Sequence, residues 1–481
     1  MTPALADAYS LAPVITACGF GILIIVGDAF LPRGGKSLLA RIGVVGALAS
    51  LAAVTLASRH TDDAYSGLIR TDAFSLFLES LIFVITVLVM LGSYDYLVRE
   101  GLPLGEYHAL LLFAASGMAV MASANELLTA FVGLEISSIA SYVLAGYRRT
   151  ASKSNESALK YFLLGSFATA FFLYGAAMVY GATGTTRLDV LREMFVAGRA
   201  PGPLMLLGCA MILVGLGFKA AVAPFQVWTP DVYEGAPTPV TALFASGPKA
   251  AAFALLVRIL VTGFGAANAT WFWAIWVSAV LTMFIGNLAA LTQNNVKRML
   301  AYSSIAHAGY LLVALAARSE IGIAALLYYL VVYALVTLGA FTIITHLGEP
   351  GERRLEIDAY AGLGTRQPFT AFCMTIFLLS LLGLPITAGF LGKFYIFDSA
   401  LKAQLPGLAV MLAMNSVIGA YYYLRLVRVM YFTEPEQEWT PEPVTAGVGA
   451  VMFLTAVAAL GFGLFPGPLM TFATISAQSF R

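Results

Sequence analysis

The chain has 481 residues, 60% of them hydrophobic and 11% charged, with a formal net charge of +1. Soluble domains carry roughly 25% charged residues. The composition therefore excludes an ordinary soluble enzyme, and the near-zero balance argues against a nucleic-acid partner.

A membrane span needs about 20 mostly apolar residues. Fourteen such runs follow in chain order, at 10–31, 38–58, 74–97, 107–124, 126–147, 158–182, 203–224, 238–261, 270–291, 301–317, 321–347, 369–390, 406–431 and 444–467. The opening MTPALADAYSLAP lacks a basic stretch, so the first run reads as a retained span and not a cleaved signal. Two runs carry helix breakers. The seventh contains VGLGFKAAVAPF, with Gly215, Gly217 and Pro224; the twelfth contains LLGLPITAGFLGKFYIF, with Pro385 among three glycines.

Lysine and arginine placement orients the spans. Fourteen basic residues, Arg33 and Lys297 among them, fall on the side reached after the first run. Eight, Arg481 among them, fall on the other. Both termini are thus expected to face away from the cytoplasm. A faint repeat also shows. SSIA begins at Ser137 and again at Ser303, and the Gly-Leu steps of the two broken runs begin at Gly215 and Gly383. The two offsets nearly agree, so spans 4–8 and 9–13 read as related units. Five is an odd number, so the second unit is expected to be inverted. The expected organisation is a three-helix segment at 1–105, five-helix repeats at 106–262 and 263–432, and a C-terminal helix at 433–481.

The chemistry lies in charges placed where water should be absent. Lys219 sits in the seventh run, Lys249 in ALFASGPKAAAFALL, and Lys393 just after the break in the twelfth. A charge near the bilayer centre costs from about 2.5 to more than 10 kcal/mol. Glu135, in FVGLEISSIASY, reads as the only acid well inside an apolar run in this half of the chain. An ion pair at about 4 Å with an effective dielectric of 20 is worth roughly 4 kcal/mol, or about three pKa units. A glutamate that moves toward or away from Lys219 would switch the lysine between charged and neutral forms, and a fixed structural pair is the alternative. Lys249 follows Gly247-Pro248, where an irregular and hydrated backbone is expected. For Lys249 and Lys393 the competing reading is a side chain that snorkels to the interface. Lys160 opens the sixth run after YRRTASKSNES and reads as an interfacial anchor or a polar-axis member. Arg258, near the end of the eighth run, reads as an anchor. His307, mid-span in SSIAHAGY, reads as a proton relay or as a merely hydrogen-bonded core residue. Tyr302, Ser303 and Ser304 can line a water path or hold helices together. Asp231 and Glu234, in WTPDVYEGAPTP, suit proton uptake, capping or subunit contact.

Other signatures are missing. Cys18, Cys209 and Cys373 are scattered and form no CxxC, and the four histidines (His60, His108, His307, His346) fall mostly at span ends or loops, which argues against haem. GGKS at 34–37 has Phe30 where a P-loop needs glycine, and HExxH is absent. The chain itself is expected to hold no metal, cofactor, redox centre or hydrolytic nucleophile.

Four segments carry a resemblance: GLGFKAAVAPFQVWTPDVYEGAPTPVTALFASGPKAA, FVGLEISSIASYVLAGY, QNNVKRMLAYSSIAHAGY and GLPITAGFLGKFYIF. Over roughly residues 70 to 432 the chain resembles the N-type subunits of bacterial NADH–quinone oxidoreductase (respiratory complex I). WTPDVYEGAPTPV is quite specific to that type within the wider antiporter-like family. The resemblance implies an all-α polytopic proton pump of about 14 transmembrane helices, with two inverted five-helix repeats and broken helices 7 and 12. It implies a proton-transfer axis of Glu135, Lys219, Lys249 and Lys393, with Lys160 and His307 as further polar members. Gln226 stands where sibling subunits often have histidine, so a path through that point would need water. NADH, flavin, iron–sulfur clusters and quinone are implied in other subunits. The implied partners are further antiporter-like and small membrane subunits, indirectly a peripheral redox arm, and the lipid of a bacterial inner membrane. Two rival readings remain: a subunit of a multisubunit cation/proton antiporter, and a structural membrane scaffold.

Overall fold

The computed structural model describes residues 3–32, 35–61, 63–199, 202–435 and 442–480, with backbone alone for residues 3–6. Met1 and Thr2 of the opening segment, Arg33 and Arg481 of the charge count, and Gly34 of GGKS lie outside the described residues.

Each apolar run becomes a helix because a lipid-embedded backbone must satisfy its polar groups internally. The spanning helices are α1 (Ala12–Phe30), α2 (Ser37–Ala57), α3 (Ala73–Arg99), α4 (Leu104–Ser123), α5 (Leu127–Ala145), α6 (Ser152–Thr183) and α7 (Pro203–Ala220). After the short α8 (Thr229–Gly235) come α9 (Thr238–Val257), α10 (Phe272–Leu291), α11 (Val296–Ala316) and α12 (Glu320–Leu347). The twelfth run forms α13 (Pro368–Leu382) and α14 (Ala388–Lys402). Then follow α15 (Pro406–Phe432), α16 (Ala446–Leu464) and a terminal α17 (Gly467–Ala477). Among the described residues thirteen helices are long and apolar enough to cross a membrane. The α13–α14 pair accounts for the remaining run. This is a mostly helical, multi-pass membrane fold.

Local chemistry sets the ends. Asp72 and Ser75 form a reciprocal capping box on α3. Glu126, Asn295 and Ser319 cap α5, α11 and α12 with their side chains. Proline opens α7, α9, α13 and α15 within the first two positions, where its missing N–H is an orphan anyway.

The interruptions differ in detail from the sequence reading. Gly215 and Gly217 lie inside a continuous α7; a Cβ on Gly215 would meet Phe172 Cβ at 2.7 Å. They permit close packing and do not break the helix. The chain leaves α7 only at Ala221, with φ 59°, and resumes helix at α8. In the twelfth run the turn is made by Gly383, φ 89°, and the second half extends to Lys402, well past 390. The backbone at Gly247-Pro248 is also not irregular. Helix α9 runs through it, although Pro248 still leaves the Phe244 carbonyl without its usual donor.

Burial is graded. The apolar windows of α9, α11 and α12 are 100%, 94% and 94% buried, against 22% for α1. The three central helices are those carrying Lys249, His307 and a set of tyrosines, so the interior positions polar groups away from lipid.

Candidate functional site

Three buried lysines, Lys219, Lys249 and Lys393, stand apart from the ion-paired cations and make up a row of candidate carriers in the interior. Lys219 occupies the last turn of α7, held there because the chain turns at Ala221. Its Nζ donates to Ser138 Oγ at 2.9 Å and Tyr161 Oη at 3.3 Å. Tyr161 is locked by stacking on Trp228 at 4.5 Å, and Trp228 donates to the Phe218 carbonyl. Glu135 lies one turn before Ser138 on α5, half-buried, with Oε1 enclosed and unpartnered. No ion pair within 4.0 Å joins it to Lys219 among the described residues. The fixed pair considered from sequence is therefore not formed.

Lys249, 2% exposed on α9, donates to both the carbonyl and the hydroxyl of Ser304 on α11. Its ammonium lies 5.2 Å from the Tyr333 ring centre. Lys393, on α14, donates to the Leu381 and Leu382 carbonyls at 2.9 and 3.0 Å. Those carbonyls end α13 and carry the negative end of its dipole. The Tyr310 ring lies 4.9 Å away. Neither lysine snorkels.

Between them stands His307. Its Nδ1 meets Tyr329 Oη at 2.5 Å and its Nε2 meets Tyr423 Oη at 3.0 Å. Tyr423 also bonds Ser303 Oγ. The rings of Tyr310, Tyr329 and Tyr333 surround the imidazole with centroids 5.1 to 5.8 Å away. The tyrosines were not singled out from sequence. The YYYL run at 421–424 in a span was the available signal, together with tyrosines spaced four apart at 329 and 333.

Lys160 is placed apart from this row. Its side chain is 42% exposed and pairs with Glu156 at 2.7 Å and Asp231 at 2.8 Å. Arg298 bonds both Asp231 and Glu234, and Lys153 bonds Glu234. These residues line a polar cavity of about 190 Å³. Burial alone would raise the Asp231 and Glu234 carboxyls, but bonds from Lys160, Arg298 and Lys153 outweigh it and hold both below the ordinary range. Gln226 is buried, with its carbonyl oxygen unpartnered.

Two sequence assignments are corrected. Arg258 is not an interfacial anchor. It is 1% exposed, forks onto Asp72 at 2.5 and 3.0 Å, bonds the Ala122 carbonyl, and packs against the contacting Phe74 and Phe480 rings. Nor is Glu135 alone among acids of the first half. Glu79, in LFLESLIF of α3, is 3% exposed with Oε2 unpartnered. A second surprise is Lys297, counted from sequence as a loop charge. It is fully buried and pairs with Glu352 at 3.0 Å. Among the described residues no three His, Cys, Asp or Glu side chains converge as a metal site would require.

A multi-pass helical bundle with interior amines held by hydroxyls and carbonyls defines an antiporter-like membrane subunit. Residues 124–419 match the family described as NADH:quinone oxidoreductase/Mrp antiporter, TM. NADH-quinone oxidoreductase subunit N 1 of Solibacter usitatus is 46% identical over 476 residues, covering 99% of this chain and 98% of its own. Subunit N 2 of Koribacter versatilis is also 46% identical, covering 98% and 97%. A chain of respiratory complex I from Thermus thermophilus superposes with a TM-score of 0.81 at 37% identity, covering 95% and 98%. A chain of the Mrp complex from Dietzia reaches a TM-score of 0.87 at 21% identity, a likeness of fold. The chain belongs to the NADH-quinone oxidoreductase subunit N family. The similarity reaches beyond residues 70–432 to nearly the whole length.

Proposed function

We propose that this chain is a proton-translocating subunit of a bacterial NADH:quinone oxidoreductase. Quinone reduction elsewhere in the complex drives proton transfer along Glu135, Lys219, Lys249, His307 and Lys393. Lys160 lies at the inner mouth with Asp231 and Glu234. NADH, flavin, iron–sulfur clusters and quinone belong to other subunits, and this chain carries no redox centre. Its neighbours are other antiporter-like and small membrane subunits, and through them the peripheral redox arm. It lies in the inner membrane with both termini on the periplasmic side. The functional residues divide between two inverted five-helix units, 106–262 and 263–432.

One observation supports this reading above the others: among the described residues Lys219, Lys249 and Lys393 donate to neutral oxygens and to no carboxylate. An amine so held gains or loses a proton without abandoning a buried counter-ion, which would cost several kcal/mol. Glu135, near Lys219 but unbonded to it, supplies a movable negative charge. Its approach favours the charged lysine, and its retreat releases the proton toward Lys249. Moving one charge against 100 mV takes about 2.3 kcal/mol, within reach of one such rearrangement.

Lys219→Ala tests the reading. In sealed vesicles the variant complex should assemble while translocating at least about tenfold fewer protons, as expected when a positioned acid–base group is removed. Assembled complex with an unchanged proton-to-electron ratio would favour the scaffold reading.

A further inference from the structure

The proposed axis leaves a step without an evident carrier: the passage from the Lys249 region to His307. The sequence places Ser303 and His307 four residues apart on α11, hence on one face of that helix. A single hydroxyl from a neighbouring helix can reach both. Tyr423 on α15 does so, bonding Ser303 Oγ on one side and His307 Nε2 on the other. Ser303 adjoins Ser304, which holds Lys249. On the far side, His307 Nδ1 meets Tyr329. The Tyr329 ring packs onto Gly392, where any Cβ would meet its Cδ2 at 2.4 Å. Gly392 immediately precedes Lys393.

We infer that Tyr423 is a proton-relay residue, the hydroxyl through which His307 is loaded from the Lys249 side. The inference rests on the translocation reading above. A tyrosine hydroxyl accepts one hydrogen bond while donating another, so the transfer is concerted. The Ser303 O–H proton passes to the Tyr423 oxygen as a water molecule, itself reprotonated by the Lys249 ammonium, gives Ser303 a new one. At the same time the Tyr423 O–H bond breaks and its proton forms an N–H bond at His307 Nε2. The imidazolium then releases its Nδ1 proton to the Tyr329 oxygen as the Tyr329 O–H bond breaks and its proton passes to a water molecule on the Lys393 side. Every hydroxyl ends the step neutral. His307 ends as the other tautomer, and rotation of the hydroxyls with reversal of the tautomer resets the chain.

The neighbouring tyrosine gives the contrast. Tyr422 donates to Asn287 Oδ1 at 2.9 Å, and Asn287 in turn bonds Asn415 and Tyr310. That cluster ties α10, α11 and α15 together through the amides of Asn287 and Asn415, which accept and donate without exchanging a proton. Tyr423, one residue on, is aimed at serine and histidine instead.

The experiment compares variants in the assembled complex in sealed membrane vesicles, with proton uptake driven by NADH. Tyr423→Phe keeps the ring and removes the relay, and is expected to lower translocation at least about tenfold. Tyr423→His, whose ring can accept and donate, should recover a substantial part. Replacing Tyr423 with 3,5-difluorotyrosine keeps the shape and makes the hydroxyl more acidic, so it should shift the pH profile of translocation; it also decides the matter should Tyr423→Phe fail to assemble. A wild-type rate in Tyr423→Phe, or an unmoved pH profile in the fluorinated protein, would overturn the relay. Lys249→Ala run in parallel separates the two levels. If it stops translocation while Tyr423→Phe does not, the relay alone is wrong; if both translocate normally, the underlying reading is wrong too.

Discussion

The interior holds two kinds of buried cation. Arg258 and Lys297 are matched to acids, Asp72 and Glu352, at 2.5 and 3.0 Å. Lys219, Lys249 and Lys393 are equally enclosed but rest on hydroxyls and carbonyls. Burial is nearly the same, so burial does not separate a fastener from a carrier. The partner does. A buried ion pair locks charge in place, because losing either member strands the other in a low dielectric. An amine on neutral oxygens leaves the proton free to move. The fasteners also sit at the ends of the helices that carry the row. Arg258 ties the end of α9 to the start of α3. Glu352 gathers Lys297 of α11, the Thr238 backbone and hydroxyl at the start of α9, and Tyr96 of α3. Glu352 itself adopts φ 55°, a conformation that a glutamate keeps only when its contacts over-determine it.

The sharpest break in that comparison is Arg258→Ala. It strands Asp72, whose carboxyl would be raised by burial but is held below its ordinary range by Arg258. The expected loss is about 3–5 kcal/mol, read as a lower unfolding temperature of the detergent-solubilised complex. An Arg258→Met, Asp72→Leu double variant should regain most of it, since removing both charges is close to neutral. If the single variant is as stable as the parent, the pair is no fastener. The row behaves oppositely under the same treatment: Lys219→Ala should spare assembly and lose transport.

The same contrast explains what the sequence made legible. Lysines in apolar runs are visible because the physics that makes them costly is local to the run. Span number and order follow from the same local signal. Partners are not local. Asp72 lies 186 residues before Arg258, and Tyr423 lies 116 residues after His307, so neither the anchor reading of Arg258 nor the omission of Tyr423 could be mended from one segment. Lys297 looked like a loop charge because it sits one residue into α11, and only the folded loop at Glu352 encloses it. Glu79 is different. Its signal, one acid in LFLESLIF, was as local as that of Glu135 and was passed over. The breaks were legible as regions, but glycine alone did not say whether it turns the chain, as Gly383 does, or admits a neighbour, as Gly215 does.

A smaller effect sharpens the comparison through pH. Burial would raise the Glu352 carboxyl, but Lys297 and the Thr238 donors outweigh it and hold it below the usual range. A carboxyl depressed in the folded state stabilises fully above its unfolded pKa, near 4.3. That stabilisation fades as pH falls through the folded value. The complex should therefore lose stability with acid below about pH 4.3. Glu352→Gln should start less stable at neutral pH and show a shallower acid slope, measured by unfolding midpoint against pH. An acid slope identical to the parent's would mean that Glu352 is not a principal contributor.

The smallest effect is expected where the ion pairs meet water. Lys160 pairs with Glu156 and Asp231, yet its side chain is 42% exposed. Exposed pairs contribute little to stability, because water screens them. Asp231 also keeps Arg298 as a partner when Lys160 is removed. The carboxylates Glu156, Asp231 and Glu234 and the Lys153 amine remain around the cavity when Lys160 is removed. Lys160→Ala should thus lower the translocation rate far less than Lys219→Ala does, and leave the unfolding temperature near the parent's. The measurement bears on the row itself. Should Lys160→Ala lose translocation as completely as Lys219→Ala, an exposed, acid-paired lysine would be a carrier too, and the division by partner would give way to a path in which ion pairs open and close at its mouth.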